Sequence, residues 1–504
     1  MTVKKYFTSI KWWFLSLHCF LLAFPSYAQV LQQQRLEFPI SSSNESYTIT
    51  PAGTSGIVLH RRVWSFAGDQ LEIIHTDTSF EQKWNGYVPI ERNYTLTQHI
   101  SSRNNLYLIF HTSNFSDRNF HLYEINLSDG TYTRFTVRNI IPFSPTVLEV
   151  TSQGALIGGY FNRVPIVLFF QFTTQQSKIL PGLFNETGEL TQVKTHSDGS
   201  FDLLISARNY QRQQTIWLKN YSPDGGLIRN IMLNPEGNSS LIFGRTLQTK
   251  SYDQIVAGVY GSRNSEYSRG LFVARVSDDG VQHIQYYNFA DLENFFSYMR
   301  AKRERRIKER IERKKIKGKK IKFQYRFIVH EFVPYKNQFV LLGEAFYPKY
   351  RHTERMYSPT PNFGGYQNAM IFDGYQYTHA VVLGIDSDGN LLWDNSFEIN
   401  DVKTFTLEQY VKMDARDGNI ALLYLYDNKI RTKLIQDSEV LEGKSFNPLL
   451  MQFDETLSSD EERTSMNKFD YWYDDHFLAY GTQTVVSPGT RRKKVFFVNK
   501  VRYQ

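Results

Sequence analysis

The chain has 504 residues, 41% hydrophobic and 15% aromatic, with 58 Lys and Arg against 50 Asp and Glu for a net charge of +8. That length and apolar content suffice for a large core without covalent staples. The single cysteine, Cys19, lies within the first 28 residues, so a chain that has shed them carries no disulfide, zinc–thiolate site or cysteine nucleophile.

Those first residues read as a secretory signal. Lys4, Lys5 and Lys11 precede an apolar run from Trp12 to Phe24, and Ser26-Tyr27-Ala28 places small residues at the usual cleavage positions. The run is short for a bilayer span, so cleavage near Gln29 predicts an exported chain, periplasmic or extracellular, without a transmembrane segment. His18 before Cys19 does not fit a lipoprotein signal. Export without disulfides fits a bacterial envelope. Seven Asn-x-Ser/Thr sequons (Asn44, Asn93, Asn114, Asn126, Asn185, Asn220 and Asn238) pull weakly the other way. The last residue, Gln504, directly follows the final predicted strand, which predicts no C-terminal sorting domain.

Residues 29–504 read as one all-β repeat domain. Short apolar runs recur, several with a small residue near the end, as in Ala155-Leu156-Ile157-Gly158-Gly159, Ile255-Val256-Ala257-Gly258, Phe339-Val340-Leu341-Leu342-Gly343 and Phe477-Leu478-Ala479-Tyr480-Gly481. Weaker copies begin at Ile57, Leu106, Asp202 and Asn419. The starts are 49, 49, 47, 53, 84, 80 and 58 residues apart, and one insertion in each long gap restores a repeat of about 50. Within a copy, Asp129-Gly130, Asp224-Gly225, Asp279-Gly280 and Asp388-Gly389 precede apolar alternation, a hairpin signal because Gly accepts positive φ; Asp198-Gly199 and Asp417-Gly418 mark an earlier turn. Four short strands per repeat predict a β-propeller of eight blades, at 47–88, 94–138, 144–180, 190–233, 240–288, 324–399, 409–447 and 465–501. Small residues are expected where strands crowd toward the axis. The last unit has only three strands, and an orphan strand at 34–39 is expected to pair with it and close the ring. Seven blades fit if the first weak copy is discounted; paired β-sandwiches are the rival fold.

The stretch Ala380-Val381-Val382-Leu383-Gly384-Ile385-Asp386-Ser387-Asp388-Gly389-Asn390-Leu391-Leu392-Trp393 resembles repeats of secreted bacterial β-propellers, with a strand, an Asp-rich Gly turn and a strand bearing Leu-Trp. The resemblance is close in this blade alone. It implies architecture and no particular activity.

Three insertions fall in slots that share one face of a propeller: between blades 5 and 6 (289–322), within blade 6 (347–378) and between blades 7 and 8 (454–463). The first reads as a helix docked by Leu292, Phe295, Phe296 and Met299, with Glu304–Lys308 and Glu309–Arg313 pairs and a stop at Gly318. Between Arg300 and Lys322 it holds 14 basic residues and 3 glutamates, so with the leader removed the rest of the chain is net acidic. Arg300, Arg303, Arg306, Lys308, Arg310, Arg313, Lys314 and Lys315 are the candidate grip on an anionic glycan, lipid surface or protein. The second insertion reads as an irregular Tyr-rich loop, broken by Pro359, Pro361, Gly364 and Gly365, whose Tyr350, Arg351, Arg355, Tyr357 and Tyr366 are candidate contacts. The third is acidic and could screen the helix. A solvated helix and rings packed on the rim are the plain structural readings of the first two.

No Gly-x-Ser-x-Gly, His-Glu-x-x-His or Walker loop occurs, and no cofactor, metal or nucleic acid is expected. His99, His121, His283 and His330 read as strand residues, and Asp386 and Asp388 as a turn rather than a calcium loop. The sequence thus points to a non-catalytic binding or scaffold propeller of the bacterial envelope. The alternative is a carbohydrate-binding or carbohydrate-active propeller, expected to bring two carboxylates together at the channel mouth.

Overall fold

The computed structural model describes residues 30–503, leaving out 43–44, 66–67, 113–117, 184–186, 251–252, 264, 320, 322, 324, 353–369, 417, 437, 449–462 and 486–492. The predicted leader, most of the acidic insertion and the centre of the Tyr-rich insertion lie outside the described residues.

Eight antiparallel sheets follow one another along the chain. Blades 1 to 7 span 48–89, 94–137, 145–179, 188–232, 239–288, 326–398 and 412–448, each a meander of four strands in sequence order. Blade 6 gains a two-residue fifth strand, Lys403–Thr404. Blade 8 is composite: Arg463–Tyr473, His476–Val485 and Lys493–Tyr503 are completed by Val30–Ile40, which pairs antiparallel with the last strand through Leu36 opposite Val498. The predicted ring closure is therefore present, with an N-terminal strand longer than expected. Arg35 fastens it: its guanidinium lies 4.2 Å over the Phe497 ring and donates to Gln483 Oε1 at 2.5 Å.

Eight apolar clusters fill the eight interfaces between consecutive blades, including blade 8 against blade 1. This explains the sequence pattern. In the second strand of blade 7, Ile420, Leu422 and Tyr424 pack toward blade 6 while Ala421, Leu423 and Leu425 pack toward blade 8. A strand buried on both faces is apolar at every position, so the alternation of a half-buried sheet disappears. Outermost strands such as Gln176–Ile179 keep an exposed face.

Glycines in the second strands answer to the neighbouring first strand rather than to the axis. A Cβ at Gly258 would lie 2.0 Å from the Phe243 carbonyl oxygen, and one at Gly343 would lie 2.2 Å from the Phe327 ring. The Asp-Gly signals close hairpins as expected, with Gly130, Gly199, Gly225, Gly280, Gly389 and Gly418 all at positive φ. At Gly389, Asp386 Oδ1 accepts the Asp388 and Asn390 amides, so the Asp-rich stretch of blade 6 is a turn.

The meander makes the two faces unequal. First-to-second and third-to-fourth strand turns emerge on one face, and every Asp-Gly turn lies there. Second-to-third strand loops and blade-to-blade connections emerge on the other, here called the top. Both described insertions are on the top.

Candidate functional site

The helix α1 covers Ala301–Ile316, shorter than the predicted 289–322. Residues 289–300 form turns instead, because their side chains and amides find partners far away in sequence. Phe289 and Phe295 stack at 4.4 Å, Phe296 is buried beside them, and Tyr298 stacks on buried His379 at 3.8 Å. The Asp394 carboxylate, buried on the outermost strand of blade 6, accepts the Glu293 and Asn294 amides at 2.8 Å each. Burial pushes this carboxyl's pKa up, against those hydrogen bonds. Ser297 meets Ser396 at 2.8 Å. The apolar residues read as a helix-docking stripe therefore dock as expected, as an irregular ledge.

Ile307 and Ile311 hold α1 onto the same cluster. Gly318, at φ +63, ends it: its amide donates to the Lys315 carbonyl and the Lys319 amide to the Lys314 carbonyl, both at 2.9 Å. That pair of bonds is the left-handed stop expected of glycine just past a helix. Glu304 pairs with Lys308 at 2.9 Å as predicted. Glu309 does not pair with Arg313; it lies 3.9 Å from Arg305, while Arg313 Nε donates to the Glu309 backbone carbonyl. Lys315 is tied to Asp291 at 2.8 Å. Of the candidate grip, Arg300, Arg303, Arg306, Arg310 and Arg313 are exposed; Lys308 and Lys314 are half-buried.

The described ends of the Tyr-rich insertion, 347–352 and 370–378, are strand rather than loop. The second and third strands of blade 6, Gln338–His352 and Met370–Ile385, run past the blade and stay paired to His352 opposite Met370. The prolines and glycines expected to forbid regular structure fall in 353–369, outside the described residues, as do Arg355, Tyr357 and Tyr366. Tyr350 and Arg351 sit near the described end of this hairpin, both exposed. Tyr347, Tyr350, Met370, Ile371 and Phe372 on it, with Phe405 and Leu407 on the connection to blade 7, form a run of exposed large apolar side chains. The connection is held alongside by Lys403–Thr404 pairing and a Lys403–Asp373 ion pair at 3.1 Å. Tyr375 and Tyr377 turn inward and pack on Phe346, the plain structural outcome for those two rings.

A second polar region, at the inner strands, carries no local sequence signal. Lys194 of blade 4 donates to the Thr246 carbonyl of blade 5 at 3.0 Å. Arg245 of blade 5 donates back to Thr191 and forward to the Val329 carbonyl of blade 6. Fully buried Glu344 of blade 6 accepts the Val411 amide at 2.6 Å at the entry to blade 7, with His330 Nε2 at 2.7 Å. Lys412 of blade 7 pairs with Asp470 of blade 8 at 3.1 Å, and Thr50 of blade 1 meets His99 of blade 2 at 2.8 Å. Of the histidines read as strand residues, His99 thus bridges to a neighbouring blade, while His330 meets Glu344 within blade 6. Glu149, on the innermost strand of blade 3, is different: its carboxyl makes no hydrogen bond or ion pair among the described residues, and burial raises its pKa to about 7. Glu189 of blade 4 is also raised by burial, opposed by Arg245.

No family model matches the chain, and no curated protein matches it. Among solved structures it is similar to the Dos1 propeller (8% identity, TM-score 0.43, covering 94% of this chain and 95% of that one). It is also similar to polysaccharide lyase Uly1 (9% identity, TM-score 0.40, 93% and 99%) and to the β-propeller domain of the Trilobed protease from Pyrococcus furiosus (9% identity, TM-score 0.38, 81% and 95%). Likeness this distant carries no function; the eight-bladed architecture stands on the strand pairing and closed ring of the chain itself.

Proposed function

We propose that the chain is an exported, non-catalytic binding propeller of the bacterial envelope that holds an anionic partner on its top face over blades 5 and 6. The observation that carries this reading is the company kept there: the exposed arginines of α1 and the exposed apolar run of the blade 6 hairpin leave the same face, while the Asp-Gly positions, as tight turns, are on the opposite one. Cations give long-range attraction and aromatic rings give contact area at small entropic cost. Two acidic groups near the axis, Glu344 on a second strand and Asp470 on a first strand, are engaged in bonds between blades, which supports binding over catalysis at those two positions.

The test is retention on immobilised heparin as a polyanion. Arg306 and Arg310 are exposed and form no ion pair among the described residues, so R306E/R310E should leave the melting curve unchanged and elute at clearly lower salt. Equal elution of variant and wild type refutes the reading. A carbohydrate-active enzyme is the second reading, favoured by the raised carboxyls of Glu149 and Glu189 on adjacent inner strands.

A further inference from the structure

We infer that the cleft between the C-terminal end of α1 and blade 5 is a binding site for an acidic saccharide, a uronate-bearing stretch of glycan. This deepens the reading above by naming the partner's chemistry. The cleft has a volume of about 750 Å³, inside the roughly 300–1,000 Å³ of small-ligand sites. Its wall is aromatic: Tyr260 and Tyr286 pack edge to face at 5.0 Å. Tyr286 Oη accepts the Glu236 amide at 3.0 Å, which fixes the rim and leaves the phenol proton to donate. The side chains of Glu236 and Asn238 add a carboxylate and an amide, the acceptors and donors that sugar hydroxyls need, while Asn288 accepts the Ala290 amide at 2.9 Å and holds the floor.

Arg269 decides the charge of the ligand. Lys315 is already neutralised by Asp291, but the Arg269 guanidinium makes no hydrogen bond or ion pair among the described residues. A guanidinium presents a planar fork that matches a carboxylate with two parallel bonds. Exposed Lys319 adds a second cation at the mouth. A neutral sugar leaves that fork unused, and a small inorganic anion leaves the tyrosines and amides unused.

The test is calorimetric titration of the full chain with a galacturonate trimer and, as the neutral counterpart, maltotriose. The galacturonate trimer should bind at least tenfold more tightly. Arg269→Ala should weaken it at least tenfold, and K319A, at an exposed position that leaves the fold intact, several-fold. Equal affinity for the two trimers, no galacturonate binding, or unchanged affinity in a folded R269A overturns the inference. R306E/R310E separates the two readings, since neither residue lines the cleft: trimer binding should persist in it. Loss of heparin retention in that variant, with no trimer binding by the wild type, leaves the surface reading standing and removes the cleft.

Discussion

Replacing Glu149 with Gln tests the electrostatics of the inner strands directly. The carboxyl sits on Pro145–Val150, and burial alone raises its pKa from the ordinary 4.5 to about 7. The folded chain therefore binds this proton more tightly than the unfolded chain does. Its contribution to stability is complete below about pH 4.5 and is lost as pH rises through 7, where folding must bury a carboxylate. At about 1.4 kcal/mol per pH unit the full gap corresponds to about 3 kcal/mol, and the partial exposure of the side chain lowers the expectation to about 2 kcal/mol. Gln stays neutral throughout, so E149Q should match the wild type at pH 4.5 and exceed it at pH 8. Urea unfolding of both proteins at both pH values gives the comparison, with the change in midpoint at constant slope as the readout. A midpoint difference that is the same at pH 4.5 and pH 8 refutes the argument.

Two further expectations concern the frame. Deleting residues 30–40 removes the four apolar residues of the closing strand that pack into the interfaces (Val30, Leu36, Phe38 and Ile40) and bares the edge of Lys493–Tyr503. The loss should be on the order of 4 kcal/mol, roughly 1 kcal/mol for each half-buried side chain, with self-association in size-exclusion chromatography. A monomeric truncation of unchanged urea midpoint contradicts it. Gly258→Ala sets a methyl 2.0 Å from the Phe243 carbonyl oxygen and 2.7 Å from Gly244 Cα, backbone atoms with no rotamer to escape to. It should cost about 2 kcal/mol in chemical denaturation, and a neutral result shows that the two strands can part freely.

The blade count was legible in the sequence because each second strand is buried on both sides. Gly154–Phe161 and Asn419–Tyr426 therefore read as unbroken apolar runs, and Asp-Gly turns punctuate them. Ring closure was legible from strand arithmetic alone. The start of the helix was not. Leu292, Phe295 and Phe296 have helical spacing, yet Asp394 takes two amides about 100 residues away and His379 receives Tyr298, so distant partners outbid local preference. The two described ends of the blade 6 insertion differ from the expected loop for a similar reason: Tyr347 to His352 become strand only because 370–376 lies beside them.

Periodicity, turn chemistry and charge are short-range properties, and they determined that this chain is a closed ring of β-blades with one strongly basic insertion. Which groups meet is long-range. The cleft draws on residues between Glu236 and Ile321, and the inner polar contacts draw on seven blades. None of these groups has a sequence neighbour that announces it, because only the packing of one blade on the next, about 50 residues along the chain, brings their strands within hydrogen-bonding reach.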